Sequence, residues 1–535
     1  MGQSIVCRMK PYIQPFERTL ALAELSGLTH SAPVPIDPHA EESLLFSVLC
    51  KVKPGTLVRN LAYWETIKAD HLYQTTQVLR ERTVNVVRNG VPTKDIQQLL
   101  LANDIGLPNR RCLRYGTHGI HEYRGKFFPQ LVRSLINIAG VPNGGIVADP
   151  MCGSGTTAVE AVLADLRALG LDMNPLSVLI ARVKCSLLTL DPDFLVSATE
   201  RIRGQLLRPA GKRNGSLTYF ASLSACDREY LSRWFSEQVL QDLDEVARTI
   251  QLSDKRVCDF FWLCLSNIIR SVSWQKDDDL RVRRELRPNA EIDPIREFLE
   301  EMGRSVRIVL ALLYQNAENS SGPFNIAKGD ARKLPMVWKR HKGKIDAIIT
   351  SPPYATALPY LDTDRLSLCY LGLLSRLDHR QLDQYMIGNR EITERERAMY
   401  WKLFQSEKKN LPKSISALIQ KITKLNSQIE VGFRRRNLPA LLTKYFIDMQ
   451  HVFEGMAAVL RPGSPAYVVI GNNHTIAGGE RVEIETASLL VDIASAVGMK
   501  AEGRISMEML VSRDIFKKNA VASEEILCFR TPTQK

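Results

Sequence analysis

The sequence lacks several patterns that assign a chain to a class at once. It has no apolar run of the roughly 18 residues that a membrane-spanning helix needs, and no basic-then-apolar signal pattern at its start. None of its ten cysteines stands in a Cys-x-x-Cys pair or has histidines at zinc-finger spacing. There is no internal repeat and no low-complexity tract. These absences predict a cytoplasmic protein with no membrane segment, no disulfide framework and no bound metal.

The residues that are present have an ordinary globular composition with an excess of positive charge. Of the 535 residues, 45% are hydrophobic and 24% are charged, which is typical of a folded protein. The 71 Lys and Arg residues outnumber the 58 Asp and Glu residues, so the formal net charge is +13. This balance favours polyanionic partners such as nucleic acid.

Short apolar strands alternate with helical patterns from about residue 110 onwards. The strand patterns cover 146–148, 167–171, 325–328, 345–350, 466–470 and 525–530. This alternation predicts one α/β domain with a parallel or mixed, doubly wound sheet. Two strongly helical stretches interrupt it, and they are too long for ordinary crossovers, so we interpret them as insertions.

A glycine-rich motif follows the first of these strands. Asp149-Pro-Met-Cys-Gly-Ser-Gly-Thr156 lies where a strand gives way to a helix, and Gly153 and Gly155 permit the tight turn that a nucleotide-like ligand needs. It is not a Walker loop, because no lysine follows the last glycine. A purely structural turn is the alternative.

Two further acidic residues end later strands. Asp172 lies 23 residues beyond Asp149, where doubly wound nucleotide-binding folds place an acid on the ribose hydroxyls. It is also a candidate N-cap of the next helix, and both roles can hold together. Asp330, followed by Ala331, would lie beside the adenine ring of the same ligand, or would be a solvated loop residue.

The most specific motif is Thr350-Ser-Pro-Pro-Tyr354, directly after an apolar strand. Two consecutive prolines remove two backbone donors and fix φ twice, so the carbonyl groups of this turn are rigid acceptors. Such acceptors suit methylation of an exocyclic amine, whose lone pair is delocalised into the base ring. Ser351 Oγ and the Pro352 carbonyl can accept its hydrogens, and the Tyr354 ring can stack on the base. A Pro-Pro turn with an edge tyrosine is the structural alternative.

Together these motifs resemble a known family. His118-Gly-Ile-His-Glu-Tyr-Arg-Gly-Lys-Phe-Phe-Pro129, the 149–156 loop, Asp172, Gly329-Asp-Ala and Ser351-Pro-Pro-Tyr, in this order, are similar to the amino methyltransferases that use S-adenosylmethionine. The closest resemblance is to the site-specific DNA methyltransferases that modify cytosine N4. It covers about residues 115–190 and 325–530. It implies a class I, Rossmann-like methyltransferase fold with helical insertions.

The resemblance also implies the role of individual residues. The cofactor S-adenosyl-L-methionine would have its methionine end at the Phe-Phe-Pro segment and the glycine loop, its ribose at Asp172 and its adenine at Asp330. The implied cofactor-binding residues are Phe127, Phe128, Pro129, Asp149, Pro150, Cys152, Gly153, Ser154, Gly155, Thr156, Asp172, Asp330 and Ala331. The implied catalytic residues, which would hold a flipped-out base, are Ser351, Pro352, Pro353 and Tyr354.

Two residue types narrow the reaction. Methylation at cytosine C5 needs a cysteine nucleophile, which usually follows a proline, and no cysteine of this sequence does. In the family, the serine form of the tetrapeptide is typical of cytosine N4 and the aspartate form of adenine N6, so Ser351 favours cytosine N4. We expect a direct in-line displacement with no covalent enzyme intermediate and no metal.

A basic stretch over 402–436 is a candidate DNA contact. It has six Lys and three Arg against two Glu, with Trp401, Phe404 and Phe433 among them. Lysine and arginine that neutralise phosphates release counterions, which favours binding. A solvated helical face is the alternative. The residues predicted to bind DNA are Lys408, Lys409, Arg434, Arg435 and Arg436.

The motifs divide the chain into six parts. These are 1–105, a region of unknown role suited in part to a small helical unit; 106–195, the first part of the core; 196–322, a helical insertion; 323–365, the core with the tetrapeptide; 366–440, the basic insertion; and 441–535, the C-terminal part of the core.

The sequence thus predicts a methyltransferase that acts on cytosine N4 in double-stranded DNA, near the nucleoid. It would protect DNA beside a cognate restriction endonuclease or mark it alone. Three alternatives stay open: a DNA adenine-N6 methyltransferase, an RNA guanine-N2 methyltransferase, and a non-catalytic DNA-binding subunit that has kept the fold.

Overall fold

The computed structural model describes residues 3–37, 43–102, 105–123, 125, 128–208, 217–276, 283–286, 292–317, 321–355, 360–508 and 523–533. Its N-terminal elements are β1 (Gln3–Met9), α1 (Pro15–Thr29), β2 (Val34–Pro35), β3 (Leu45–Cys50), α2 (Pro54–Asn60), β4 (Trp64–Lys68), β5 (Leu72–Gln74), α3 (Thr76–Arg88) and α4 (Ile96–Leu101).

The N-terminal region contains a sheet that the sequence patterns did not predict. Its five antiparallel strands have the order β2-β3-β1-β4-β5. Every second side chain of β1 is buried, namely Ile5, Cys7 and Met9, as in a strand with one face in a core. The expected helical unit at its end is present as α3 and α4.

The core and its insertions follow in the order α5 (Pro129–Ala139), β6 (Ile146–Asp149), α6 (Thr156–Leu163), β7 (Arg167–Asp172), α7 (Pro175–Ser186), α8 (Pro192–Leu206), α9 (Thr218–Ser222), α10 (Ala225–Leu231), α11 (Glu237–Gln251), α12 (Lys255–Ile268), α13 (Pro294–Gln315), β8 (Phe324–Lys328), α14 (Leu334–Val337) and β9 (Ala347–Thr350). The rest of the chain forms α15 (Tyr360–Thr363), α16 (Arg365–Tyr370), α17 (Arg376–Tyr385), α18 (Glu394–Glu407), α19 (Lys413–Asn426), α20 (Phe433–Val459), β10 (Pro465–Gly471), β11 (Asn473–Ala477), β12 (Glu480–Ile484), α21 (Thr486–Ala496), β13 (Lys500–Glu508) and β14 (Ser523–Arg530).

A seven-stranded sheet with the order β13-β14-β10-β9-β6-β7-β8 forms the centre of the molecule. Only β14 is antiparallel to its neighbours. From β6 the chain moves outwards to β7 and β8, and then returns to the other side of β6 with β9 and β10. Ligands of doubly wound sheets bind at such a reversal, beyond the carboxyl ends of the strands. The predicted doubly wound α/β fold of the class I methyltransferase type is confirmed.

Helices interrupt the sheet at the two places where insertions were expected. The elements α8 to α13 pack around buried apolar side chains such as Leu243, Phe261 and Phe298. The second interruption contains α15 to α19, but its predicted end at residue 440 falls inside α20, which continues to Val459. Within the described part of the chain, no helix combines the length and the apolar character needed to cross a membrane.

A buried carboxylate lies among the contacts between the N-terminal region and the core. Glu24 on α1 accepts hydrogen bonds from the backbone N–H groups of Ala62 and Tyr63, at 3.0 Å each, and from Asn137 Nδ2 on α5 at 2.7 Å. Burial raises the pKa of Glu24 to about 7. The first hundred residues therefore share a core with the α5 side of the large sheet.

Candidate active site

The two predicted motifs begin side by side at the reversal of the sheet. Strands β6 and β9 are parallel neighbours, with Ala148 paired to Ile348. At their carboxyl ends, Thr350 Oγ1 donates a hydrogen bond of 2.7 Å to Asp149 Oδ1. The glycine-rich loop and the Ser-Pro-Pro-Tyr turn therefore leave the sheet at the same edge.

The glycine-rich loop needs both of its glycines. Gly153 and Gly155 have φ angles of 46° and 80°, which favour glycine. A Cβ on Gly155 would lie 2.6 Å from the Cβ of Ala181 on α7, so the loop passes too close to that helix for any side chain. A Cβ on Gly153 would lie 3.0 Å from the ring of Tyr123.

Asp149 is a buried acid with one oxygen unused. Its Oδ1 accepts from Thr350 and from the backbone N–H of Met151 at 3.1 Å, whereas its Oδ2 is buried and accepts no hydrogen bond from any described residue. Burial raises the pKa of Asp149 to about 7. A cationic or hydrogen-bond-donating ligand group would satisfy Oδ2 and favour the ionised form.

Asp172 joins the end of β7 to the loop. Its Oδ2 accepts from the backbone N–H of Gly153 and its Oδ1 from that of Asn174, each at 2.8 Å. Burial raises the pKa of Asp172 to about 6. The N-cap of α7 is Asn174, whose side chain accepts from Leu176 N, so the N-cap role considered for Asp172 is wrong.

The remaining predicted loop residues surround the same place. Pro150 and Cys152 are buried, Cys152 N donates to Leu171 O at 2.9 Å, and Thr156 begins α6. Ser154 Oγ and Asn174 Nδ2 are buried and have no hydrogen-bond partner among the described residues. Together with Asp149 Oδ2, these atoms fit a ligand with both donors and acceptors.

Asp330 is clamped by an arginine. Arg332 Nε and Nη2 bind its two carboxylate oxygens at 2.9 Å each, and Arg332 also donates to Asp448 Oδ1 at 2.9 Å and to the Tyr385 carbonyl. Burial opposes the charge, but the hydrogen bonds from Arg332 lower the pKa of Asp330. The solvated-loop alternative is therefore wrong, since the side chain is only 13% exposed; its neighbour Ala331 is buried.

The Ser-Pro-Pro-Tyr turn is held from three sides. Tyr354 Oη donates a hydrogen bond to Glu524 on β14, and Ala355 O accepts one from Asn473 Nδ2 at 3.2 Å. A Cβ on Gly388 would lie 3.0 Å from both the Pro353 Cβ and the Tyr354 carbonyl oxygen. Pro352 is buried, whereas Ser351 is half-buried and its hydroxyl forms no hydrogen bond within the described residues, so it is available to a ligand.

The structure describes two of the three residues of the Phe-Phe-Pro segment. Phe127 lies outside the described residues. Phe128 is half-buried, with the Arg111 guanidinium 5.2 Å above its ring, and Pro129 is the first residue of α5. Upstream, the buried His118 is 2.8 Å from Glu160 Oε1, which makes it part of an internal ionic network.

The five basic residues predicted to bind DNA are all exposed, and they form two groups. Arg434, Arg435 and Arg436 lie at the start of α20, where Arg397 of α18 donates to Asn437 at 3.3 Å. Lys408 and Lys409 follow α18, about 16 Å farther along that helix. The structure therefore places the two groups at opposite ends of α18.

Only one of the interleaved aromatic residues is exposed beside these arginines. Phe404 is fully buried and packs on Trp401 at 5.4 Å between ring centroids. Phe433 is 44% exposed and lines a hollow of about 530 Å³. The hollow is lined by Arg390, Glu391, Gly432, Phe433, Arg434, Arg435 and Asn437.

Several residues at the site were not assigned a role from the sequence. Tyr123 and Thr350 belong to motifs that the sequence displays, so their position beside the strand ends was a readable signal. Gly388 and Glu524 stand in no recognisable motif, and only the folded chain brings them to the turn. No group of three His, Cys, Asp or Glu residues in the described ranges is arranged to hold a metal.

Comparison with known proteins finds similarity to methyltransferases. A family model described as RMKL-like, methyltransferase domain, matches residues 121–184. The type II methyltransferase M.MvaI of Kocuria varians is 27% identical over 289 residues, which are 51% of this chain and 62% of that protein. The chain thus spans less than two thirds of the length of this relative.

Two further relatives extend the comparison in different directions. The type II methyltransferase M.BsoBI of Geobacillus stearothermophilus is 22% identical over 436 residues, 73% of this chain and 81% of that protein. A tRNA (guanine(10)-N2)-dimethyltransferase of Methanothermobacter thermautotrophicus is 38% identical, but only over 52 residues, 10% of this chain and 16% of that protein.

A methyltransferase-domain model matches residues 121–184, which supports S-adenosyl-L-methionine as the cofactor. The described residues fit this cofactor. An ammonium group, such as that of the cofactor, would satisfy the unpaired Oδ2 of Asp149, and polar ligand atoms would satisfy Ser154 Oγ and Asn174 Nδ2. The loop between Gly153 and Gly155 supplies the close backbone approach that a nucleoside ligand needs.

Proposed function

We propose that the protein is a DNA methyltransferase that transfers a methyl group from S-adenosyl-L-methionine to the exocyclic N4 of a flipped-out cytosine. One observation carries the proposal: the Ser-Pro-Pro-Tyr turn and the glycine-rich loop start from neighbouring strand ends that Thr350 and Asp149 tie together. A methyl donor on the loop and an amine on the turn would therefore be neighbours.

The cofactor would occupy the edge formed by β6, β7 and β8. In this proposal Asp149 and the loop from Pro150 to Thr156 hold its methionine end, together with Phe127, Phe128 and Pro129. Asp172 accepts hydrogen bonds from the ribose, since its backbone contacts do not use all of the roughly four lone-pair positions of a carboxylate. Asp330 and Ala331 border the adenine.

The turn would activate the target amine without a covalent intermediate. Ser351 Oγ and the Pro352 carbonyl accept hydrogen bonds from the amino hydrogens, which draws the nitrogen lone pair out of conjugation with the ring. Pro353 keeps the turn rigid and Tyr354 stacks on the base. When bound, the sulfonium of the cofactor supplies an activated methyl group, so positioning is the main task of the protein.

One residue, Ser351, favours the proposal of cytosine N4 over adenine N6 as the methylated atom. Within the resembled family, serine at position 351 is typical of the cytosine enzymes and aspartate of the adenine enzymes. An adenine would need a larger pocket and the same acceptors, so the geometry of the turn is compatible with both bases. Identification of the methylated nucleoside distinguishes them.

Double-stranded DNA is the proposed substrate because two independent features agree. Both M.MvaI and M.BsoBI are named type II methyltransferases, and their alignments with this chain extend well beyond the domain model. The exposed basic groups around α18 and α20 offer phosphate contacts. A cognate restriction endonuclease for the same DNA sequence is a further part of this proposal.

Replacement of Ser351 tests the proposed chemistry. Ser351→Ala removes one acceptor of the amine but no contact of the loop, so we expect turnover to fall about 100-fold or more while cofactor affinity stays within a factor of two. Methyl incorporation from labelled cofactor, nucleoside analysis of the product and calorimetry give the three quantities. A variant with the rate of the wild type would remove Ser351 from the reaction.

The tRNA relative supports a second candidate, an RNA guanine-N2 methyltransferase. Its similarity is confined to 52 residues, which are 10% of this chain, so it gives less support to this candidate than the longer alignments give to the first. Incorporation of label into duplex DNA and into tRNA, measured side by side, decides between them. Activity on tRNA alone would replace the DNA proposal.

A further inference from the structure

Glu524 lies at the hydroxyl end of the Tyr354 ring, far from it in sequence. It is the second residue of β14 and pairs with Gly471 at the carboxyl end of β10. Because β14 is the antiparallel strand, its beginning lies at the edge of the sheet where the parallel strands end. Its Oε1 accepts the hydrogen bond of the Tyr354 hydroxyl.

The backbone of the turn is anchored independently of Glu524. Asn473 donates to the Ala355 carbonyl, and Gly388 lies in contact with Pro353 and with the Tyr354 carbonyl oxygen. The ring of Tyr354 also packs against the apolar core beneath the turn. The hydrogen bond to Glu524 fixes the far end of the ring, because the hydroxyl oxygen lies on the axis through Cβ and Cγ and its position is set by χ1.

The hydrogen bonding of Glu524 favours a role in holding Tyr354 over a general structural role. Its carboxylate is half-buried and its only hydrogen bond in the described chain is the one to Tyr354, whereas the adjacent Glu525 binds Asn472 and Arg504. A hydrogen bond to a carboxylate is stronger than one to a neutral acceptor. Burial raises the pKa of Glu524, and the hydroxyl of Tyr354 opposes this by stabilising the charge.

We propose that Glu524 is a positioning residue that holds the Tyr354 ring in place for stacking on the target base. This inference rests on the proposed function, because it gives the ring a base to stack on. Glu524 itself touches neither base nor cofactor in this proposal. It acts through the hydroxyl of Tyr354 alone.

Four variants test the inference by coupling. Glu524→Ala is expected to lower kcat about tenfold with unchanged cofactor affinity, whereas Glu524→Gln retains most of the rate because its amide oxygen accepts the same hydrogen bond. Tyr354→Phe keeps the stacking ring but has no hydroxyl. Glu524→Ala in the Tyr354→Phe background should then cost no more than Tyr354→Phe by itself.

The matched control is Glu502→Ala, on β13 of the same sheet. Glu502 is exposed and its carboxylate binds Arg530 at 2.9 Å, away from the turn. We expect it to have the rate of the wild type. Additive effects of Glu524→Ala and Tyr354→Phe, or equal losses for the Ala and Gln variants of Glu524, would overturn the inference.

A second measurement does not depend on methyl transfer. In protein labelled with 3-fluorotyrosine, the fluorine resonance missing from Tyr354→Phe identifies position 354 among the 15 tyrosines. Glu524→Ala should shift this resonance and Glu502→Ala should not. An unmoved resonance overturns the coupling, whereas a shifted one in a protein that methylates no nucleic acid refutes the proposed function and leaves the coupling standing.

Discussion

Buried acidic residues differ in the direction in which the fold shifts their pKa. Burial raises the pKa of Asp149 and of Asp172, which have no basic side chain bound to them within the described residues. Glu160 is the opposite case: burial opposes its charge, but the positive charge of Arg133 and the hydrogen bond of His118 lower its pKa to about 2. Asp149 and Asp172, beside the glycine-rich loop, are thus acids whose charge a positive or hydrogen-bond-donating ligand would stabilise.

Asp149 makes the free protein less stable as the pH rises. A raised pKa means that the folded state holds its proton more tightly than the unfolded chain, so stability falls between the ordinary value of 3.8 and about 7. Asp149→Asn has no such charge, and its stability advantage over the wild type should grow from pH 4 to pH 7 and then level off. The largest expected difference in the free energy of unfolding between the two proteins is roughly 4 kcal/mol.

Urea unfolding of both proteins at several pH values between 4 and 8 measures this difference. Calorimetry on the same samples should show weaker cofactor binding by the variant, because its amide no longer offers a negative charge to the ammonium group. A difference in stability that is the same at every pH would show that ionisation of Asp149 is not its cause.

Substitution of Gly155 in the loop should destabilise the protein more than substitution of a glycine that only occupies a turn. Gly155→Ala combines the cost of a positive φ with a Cβ contact of 2.6 Å to Ala181, whereas Gly144→Ala has a φ of 68° and open space around its Cβ. We expect about 1 kcal/mol of destabilisation for Gly144→Ala and clearly more for Gly155→Ala. Thermal unfolding compares the two, and equal effects would contradict the close approach to α7.

At the level of elements, the exposed basic residues form two groups. They are close in sequence, but the fold places them at opposite ends of α18. Arg434 and Arg435 line the hollow together with Phe433 and Arg390, and Gly388, two residues before Arg390, approaches the Ser-Pro-Pro-Tyr turn. Lys408 and Lys409 lie at the far end of α18. The segment from Gly388 to Arg390 therefore links the hollow of the arginine group to the turn.

This arrangement predicts a different salt dependence for two sets of variants. Changing Arg434, Arg435 and Arg436 to Gln should weaken DNA binding and reduce the slope of log affinity against log salt by about 0.9 for each phosphate that is no longer neutralised. Changing Lys408 and Lys409 to Gln should have a smaller effect. Titrations at several salt concentrations provide the slopes, and an unaltered slope in the arginine variant would assign that group to a solvated surface.

Elements differ in how well local sequence predicts them. The strands β6, β7 and β10 were anticipated to within a residue or so because they are apolar on both faces. Strand β8 was also anticipated, although it is an edge strand with Asn325 and Lys328 exposed. Strand β13 was missed because it is an edge strand whose residues are mostly exposed and polar. Its pairing with β14 is a tertiary contact that no local pattern contains.

At the scale of the whole molecule, the N-terminal sheet and the core around the large sheet pack against each other. The apolar side of the small sheet merges with residues of α5, α6 and the large sheet. Glu24 is a buried polar group at this junction, and its three hydrogen bonds connect both sides.

Removal of Glu24 should loosen this junction. Glu24→Ala leaves the N–H groups of Ala62 and Tyr63 buried without an acceptor, at a cost of about 1–3 kcal/mol each. We expect limited proteolysis to cleave the N-terminal region of this variant before the core. Glu122→Ala, which removes an exposed ion pair with Arg114, is the control and should be cleaved like the wild type. Simultaneous loss of both parts would show that they unfold as a single cooperative unit.

The alternating strands and helices, the glycine loop and the rigid proline turn could be read from the sequence, because strand periodicity, glycine freedom and proline geometry are local properties. The contacts made by the turn could not be read in this way. Thr350 binds Asp149 at the end of the adjacent strand, Gly388 contacts Pro353 from the second insertion, and Glu524 lies on the antiparallel strand β14 of the large sheet. Such contacts depend on strand order and packing, and these arise from the free energy of the whole chain rather than from any short segment.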